Sequence, residues 1–242
     1  MQKLRVYIIM ALVLVLGSCS NNDGSGSENE TGKSTIPNGN AGISITENGE
    51  LHIDADLYIF DRTTAKPAVI KADNTVNGTV EALITYGQEA QGEIKNGRFS
   101  ITIPIPPDKY LVEAMTYTWA YPDLPDSFIK DGPDILVKNI SYMIANIDGK
   151  EYFIDLMDNQ KVHNYGSDYY LDGDYIEFLY SKGNVKIYGN REDKDEGLPE
   201  VWNINLIEGW NTICSFFSSS KYTTTSKSPS KSAKWVADFI DF

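Results

Sequence analysis

The chain has 242 residues and a formal net charge of −13, with 21 Lys and Arg against 34 Asp and Glu. This acidity argues against a nucleic-acid partner, because phosphates are bound by clustered Lys and Arg side chains. It also argues against electrostatic adhesion to an anionic membrane, which requires a basic patch.

The first 18 residues have the order of a secretory signal peptide. Lys3 and Arg5 supply positive charge, an apolar run follows at 7–16, and small residues come next. The run is too short to span a bilayer as a helix, which takes about 20 apolar residues. We therefore predict that residues 1–18 are removed on export.

Leu16, Gly17, Ser18 and Cys19 end this segment and resemble the lipobox of bacterial lipoproteins. The resemblance implies that Cys19 is lipidated, becomes the first mature residue and has membrane lipid as its partner. Two or more acyl chains, as Gram-negative lipoproteins carry, hold a protein stably at a membrane. The competing interpretation is an ordinary secretory signal with a chance cysteine.

Residues 19–42 are predicted to form a flexible acidic linker, because Ser, Asn, Gly, Asp and Glu offer almost no apolar surface to bury. Asp23, Glu28 and Glu30 resemble the export tag of surface-exposed lipoproteins in some Gram-negative anaerobes. That resemblance implies an outer-membrane protein displayed at the cell surface, with a periplasm-facing orientation as the alternative.

Residues 43–118 are predicted to form the first β domain. Apolar and polar residues alternate from 51 to 60, which is typical of a strand with one buried face. Asn-Gly pairs at 48–49 and 96–97 predict two hairpins. A further strand is expected within 76–86, and prolines at 104, 106 and 107 should end the strand that begins at 99.

A Pro- and Asp-rich stretch, 119–134, is predicted to be a connector. The second β domain, 135–242, contains three predicted hairpins and a last strand at 234–240. Their turns lie at 148–149, 181–183 and 207–210. Short strands with turn signals between them predict an all-β fold, which we interpret as two small antiparallel β-sandwich domains.

Two segments resemble known modules. Residues 95–104 are similar to the Gly-x-Phe-Ser-Ile strand of prealbumin-like and carboxypeptidase-regulatory-like β-sandwich modules. Residues 205–212 resemble a closing hairpin of bacterial envelope lipoproteins, which often finish on a tryptophan, as Trp235 does here. These resemblances imply sandwich modules on a lipid anchor and bring no catalytic residues.

Motifs for catalysis and metal binding are weak. Acidic residues near Gly173 and Gly197 lack the spacing of an EF-hand calcium loop and are typical of solvated turns. A zinc site is poorly supported, because the chain has two histidines and one remaining cysteine, Cys214. Cys214 is predicted to be a small buried hydrophobe. No nucleophile elbow, phosphate loop or zinc-protease motif occurs. We therefore predict a non-enzyme without cofactor or metal, and paired carboxylates leave a hydrolase as an alternative.

Tyrosines are numerous in the second half of the chain. Most are expected to pack across strands. Tyr165, Tyr169 and Tyr170 lie among Asn, Gly, Ser and Asp, a composition typical of an exposed loop. They are our candidate ligand-binding residues, because exposed aromatic rings suit sugars or protein partners.

The sequence thus predicts a non-catalytic, lipid-anchored envelope protein with a binding or scaffolding role, its partner a glycan or an envelope protein. One alternative is a carbohydrate-binding surface lipoprotein of a glycan-uptake system. Another is a fimbria-like structural subunit, which would exchange a strand between subunits.

Overall fold

The computed structural model describes residue 36 and residues 40–60, 68–85, 88–114, 128–165, 168–192, 199–218 and 221–239. The predicted signal peptide, Cys19 and most of the predicted linker lie outside these ranges. None of the described segments is a helix long and apolar enough to cross a membrane.

The all-β prediction is confirmed. The strands are β1 (Ile43–Ile45), β2 (Leu51–Phe60), β3 (Val69–Lys71), β4 (Gly78–Thr85), β5 (Gln88–Lys95), β6 (Arg98–Ile103), β7 (Val112–Glu113), β8 (Phe128–Asp131), β9 (Leu136–Asn139), β10 (Tyr142–Ile147), β11 (Lys150–Tyr165), β12 (Asp168–Ser181), β13 (Val185–Glu192), β14 (Pro199–Leu206), β15 (Gly209–Ser218), β16 (Lys221–Ser226) and β17 (Lys234–Phe239). Two short 3₁₀ turns are at Asn40–Gly42 and Asp108–Tyr110.

Seven strands close into a barrel-like ring in the order β2-β6-β5-β4-β10-β11-β17. The last step, β17 against β2, is parallel, whereas the other pairs are antiparallel. Each strand turns alternate apolar residues inward, as Leu51, Ile53 and Leu57 do in β2. The ring thus encloses the larger of the two main cores.

Eight further described strands form a second section of the same hydrogen-bonded sheet, which we call the second sheet, in the order β7-β9-β12-β15-β16-β14-β13-β8. The β11–β12 pairing joins it to the ring. The β14–β16 pair is parallel. One face of this sheet covers a smaller core that includes Leu179, Trp202, Ile204 and Ile213. The second sheet therefore has its own hydrophobic centre.

Strands β12 and β15 separate the two cores. Phe178 of β12 and Cys214 of β15 belong to the ring core, while Leu179 and Ile213, their neighbours along the chain, belong to the smaller core. Successive side chains of a strand point to opposite faces, so both faces of these two strands are buried at 178–179 and 213–214. Cys214 is a fully buried free cysteine, which confirms its predicted packing role.

The arrangement as two separate sandwiches is not confirmed, because all seventeen described strands belong to one hydrogen-bonded sheet. β10 pairs with β4, and β17 pairs with β2, so strands from the second predicted domain complete the ring. Hairpin signals report pairs that are close in sequence. They carry no information on pairs such as Leu83 with Tyr142 or Leu57 with Trp235, which are 59 and 178 residues apart.

Two predicted boundaries also shift. Ile36 lies inside the predicted flexible linker but is only 4% exposed and belongs to the ring core. Its apolar side chain gains more from burial than its polar neighbours could, so folded structure begins before residue 43. The predicted connector, 119–134, contains β8, a four-residue edge strand that pairs with β13.

Candidate functional site

The three tyrosines predicted to bind a ligand lie in strands and not in a loop. Tyr165 ends β11, while Tyr169 and Tyr170 begin β12. The ring of Tyr169 is half-buried against the small cluster of Phe60, Met157 and Val236. The side chains of Tyr165 and Tyr170, and residues 166–167, lie outside the described part. The ligand-binding prediction for this hairpin remains a prediction.

A polar row crosses the second sheet where its apolar core ends. The strand registers place Tyr175 opposite Ser215, Ser215 opposite Thr224, and Thr224 opposite Trp202. Directly paired residues point to the same face. This row therefore lies on the same face of the sheet as Leu179 and Ile213, at the edge of the smaller core.

The next residues along the same face add two carboxylates and a second tyrosine. Glu177 follows Tyr175 by two positions on β12, and Glu200 of β14 is paired with Tyr222 of β16. We call this set the rim cluster. Its members are Tyr175, Glu177, Glu200, Ser215, Tyr222 and Thr224.

Hydrogen bonds fix the inner part of the rim cluster. Trp202 donates through Nε1 to Oε1 of Glu200 at 2.6 Å, which holds this carboxylate at 8% exposure. The hydroxyls of Ser215 and Thr224 are 3.4 Å apart and both buried. A buried carboxylate that is hydrogen-bonded in this way keeps a defined orientation.

The two tyrosines of the rim cluster are partly exposed and partly buried. Tyr175 is 40% exposed and Tyr222 is 37% exposed, in a sheet whose other large side chains are mostly buried. Burial raises the pKa of the Tyr222 phenol, the charges of Glu177 and Glu200 raise it further, and hydrogen bonds with Ser215 and Thr224 act in the opposite direction. The phenol is therefore a hydrogen-bond donor at neutral pH.

A third carboxylate adjoins the rim cluster on β11. Leu156 pairs with Ile176, so Asp155 and Glu177 are the next residues of the two strands and share a face. Burial raises the pKa of Asp155 to about 6, with further contributions from the charges of Asp238 and Glu177. Perturbed titration is typical of functional sites, and Glu177 contributes to the shift of both Asp155 and Tyr222.

This arrangement can hydrogen-bond and stack, but it has no metal-binding geometry. In the ranges that the structure describes, no three His, Cys, Asp or Glu side chains stand close enough to hold a metal ion. The acidic residues near Gly173, which we predicted in turns, lie within β12. Asp174 accepts a hydrogen bond from Asn159 at 2.7 Å, and His163 is 3.6 Å from Asp172. What the rim cluster presents is aromatic surface beside carboxylate and hydroxyl oxygens.

No family model, no curated protein and no solved structure matches the chain. The functional proposal therefore rests on the geometry of the rim cluster.

Sequence reasoning missed the rim cluster because its members come from four strands. Each looks like an ordinary outward or packing residue of a strand when it is considered alone. Tyr175 lies in the tyrosine-rich half of the chain, where the sequence predicts packing across strands. The sequence does contain one signal for this cluster. Glu177 in β12 and Glu200 in β14 are polar at positions where the alternation of the strand calls for an apolar residue.

Proposed function

We propose that this chain is a non-catalytic, lipid-anchored envelope protein that binds carbohydrate at the rim cluster. The observation that carries the proposal is the pair of half-exposed tyrosines, Tyr175 and Tyr222, beside the fixed carboxylate of Glu200. The binding face is built on paired strands, so it is organised before a ligand arrives.

The chemistry of the rim cluster suits a sugar. An aromatic ring packs its flat face against the C–H groups of a pyranose, and the phenol hydroxyl remains able to hydrogen-bond. Carboxylates and hydroxyls accept bonds from sugar hydroxyls, and bonds to charged acceptors are the stronger ones. Glu177 supplies a partly exposed carboxylate. The buried Glu200, Ser215 and Thr224 fix the side chains around it.

The first test is loss of glycan binding when a rim tyrosine is truncated. Tyr175→Ala and Tyr222→Ala should each weaken binding about tenfold, because an aromatic contact at the centre of a site contributes on the order of 1–2 kcal/mol. The measurement is retardation of the mature lipoprotein, in detergent, in native gels that contain xylan, galactomannan, β-glucan or starch.

Tyr142→Ala is the matched control. Tyr142 is 44% exposed, similar to the rim tyrosines, but it lies on β10 of the ring. Retardation by at least one polysaccharide is required of the unmodified protein. Equal retardation of the rim variants and the Tyr142 variant would contradict the proposal.

The second test concerns the anchor. Lipidation at Cys19 predicts that the chain fractionates with outer membranes and that mass spectrometry finds an acylated N-terminal cysteine. Cys19→Ala should release the protein from the membrane fraction or leave its signal peptide uncut. An unmodified Cys19 on a freely secreted product would remove the anchor from the proposal.

One observation favours a second candidate, a glycan hydrolase. Asp155 and Glu177 share a face, and the pKa of Asp155 is raised to about 6, within the range of a general acid. This candidate predicts release of reducing sugar from a bound polysaccharide, abolished by Glu177→Gln. Binding without any release of reducing sugar supports the non-catalytic role.

A further inference from the structure

An open groove lies on the face of the second sheet opposite the rim cluster. Asn203 and Asn205 alternate in β14 with the buried Trp202 and Ile204, so their side chains point away from the smaller core. The groove has a volume of about 290 Å³. It is lined by Asn203, Asn205, Thr225, Ser226, Lys227 and Ser228, which we call the amide groove.

The groove exists because two parallel strands separate at this point. The β14–β16 pairing reaches Asn203 and Thr225 and then stops. The Ser226 hydroxyl accepts a bond from the Asn205 N–H at 2.8 Å and donates to the Asn205 carbonyl at 2.9 Å. It thus satisfies the backbone groups of β14 that have no further strand partner. The chain after Ser226 can therefore leave the sheet and open a space.

The outer wall of the groove is fixed to the ring. The segment that follows Lys227 is held by Asp158, a β11 residue that is 1% exposed. Its Oδ2 accepts a hydrogen bond from the Ser230 N–H at 3.0 Å, and its Oδ1 accepts one from the Ser230 hydroxyl. Breaking the hydrogen bonds of a buried carboxylate costs free energy, because the charged oxygens are left without partners. This wall is therefore held in place, and the groove is formed before a ligand binds.

The groove differs in charge from the rest of this acidic protein. Its lining consists of two amides, three hydroxyls and one ammonium group. The Lys227 Nζ is 3.7 Å from Oδ2 of Asp174, too far for a hydrogen bond, and that oxygen already accepts a bond from Asn159 at 2.7 Å. Lys227 is thus in an ion pair with Asp174 without being hydrogen-bonded to it, and its ammonium stands beside five neutral hydrogen-bonding side chains.

We propose that the amide groove is a second ligand site, which binds a saccharide bearing an anionic group, either carboxylate or sulfate. The Asn203 and Asn205 amides donate to the sugar hydroxyls and accept from them. The Thr225 and Ser226 oxygens accept from the sugar hydroxyls, and Lys227 pairs with the anion. The volume is near the lower end of the range for ligand pockets and suits one or two sugar rings. This inference rests on the groove alone and does not depend on the rim cluster.

The experiment measures binding of polygalacturonate, alginate and dextran sulfate to the mature lipoprotein in detergent, with neutral dextran as the uncharged comparison. Lys227→Met should weaken binding of the anionic polymers about fivefold to tenfold, since charge-assisted hydrogen bonds are about twice as strong as neutral ones. The double variant Asn203→Ala, Asn205→Ala should weaken it at least as much. Raising the salt concentration should weaken it as well.

Lys95→Met is the control, since it removes the same charge from an exposed lysine of β5 in the ring. Tyr222→Ala should leave anionic binding unchanged, which separates this site from the rim cluster. Binding of the uronates alone assigns a carboxylate, and binding of dextran sulfate alone assigns a sulfate. Absence of anionic binding, or equal effects of Lys227→Met and Lys95→Met, would overturn the proposal.

Discussion

Asp155→Asn should raise the stability of the protein at pH 7 by about 2–3 kcal/mol. Burial, with the charges of Asp238 and Glu177, raises the pKa of Asp155 from 3.8 to about 6. Each pK unit corresponds to about 1.4 kcal/mol between the protonation states. The neutral asparagine removes the cost of ionising this group inside the fold.

The sign of the pH dependence follows from the raised pKa. The folded state binds the Asp155 proton more tightly than the unfolded chain does. The stabilising contribution is fully present below pH 3.8 and is lost as the pH rises through about 6. The contribution of Asp155 to the stability of the unmodified protein should therefore decrease between pH 4 and pH 7, and this decrease should be absent from Asp155→Asn.

Urea unfolding of both proteins at four pH values between 4 and 7 tests this expectation. The difference between their free energies of unfolding should be smallest at pH 4 and grow toward pH 7. Asp148→Asn is the control, because Asp148 lies at an exposed turn with φ 52°, a conformation that Asn adopts readily. Parallel curves for Asp155→Asn and the unmodified protein would show that Asp155 is not buried as an ionised group.

Local turn chemistry predicted three of the five expected hairpins correctly, those at 48–49, 96–97 and 148–149. The hairpins predicted at 181–183 and 207–210 are wrong, because β12 pairs with β15 and not with β13, and β14 pairs with β13 and β16 and not with β15. The predicted Asn-Gly turn at 96–97 joins β5 to β6, and both residues have positive φ, 54° and 73°. The Asp-Gly turn at 148–149 joins β10 to β11 in the same way, with φ of 52° and 74°. Such turns need residues that tolerate the left-handed region, and Asn, Asp and Gly do so at low cost. An Asn-Gly or Asp-Gly pair thus marked these two hairpins correctly.

Ring closure was not predictable from these signals. β17 pairs with β2 across most of the chain length, and the pairing is parallel, so no short turn marks it. The same limit applies to the rim cluster. Tyr175 meets Ser215 only through the β12–β15 register, and Glu200 meets Tyr222 only through the β14–β16 register. Registers between distant strands depend on packing of the whole sheet.

Trp235→Ala should cost the largest amount of stability among single substitutions in the ring, about 3–5 kcal/mol. Trp235 is 2% exposed in β17, the strand that closes the ring against β2. Its ring stacks on Phe178 at 5.7 Å and meets the Phe99 ring edge-on at 5.3 Å. Its Nε1 donates to the Ala41 carbonyl at 2.8 Å. Truncation therefore removes contacts to β12, β6 and the start of the folded chain at once.

Two further variants separate the contributions of Trp235. Trp235→Phe keeps an aromatic ring in the core but loses the bond to Ala41, so it should cost roughly 1–2 kcal/mol. Phe153→Ala truncates a partly exposed aromatic of the ring's outer face, and its cost should be within about 1 kcal/mol. Urea unfolding gives the three free energies, and hydrogen exchange at 57–60 reports on the pairing of β2 with β17. The contrary result is that Trp235→Ala lowers the free energy of unfolding no more than Phe153→Ala does, with hydrogen exchange at 57–60 unchanged. That result would show that backbone pairing alone closes the ring and that the buried indole contributes little.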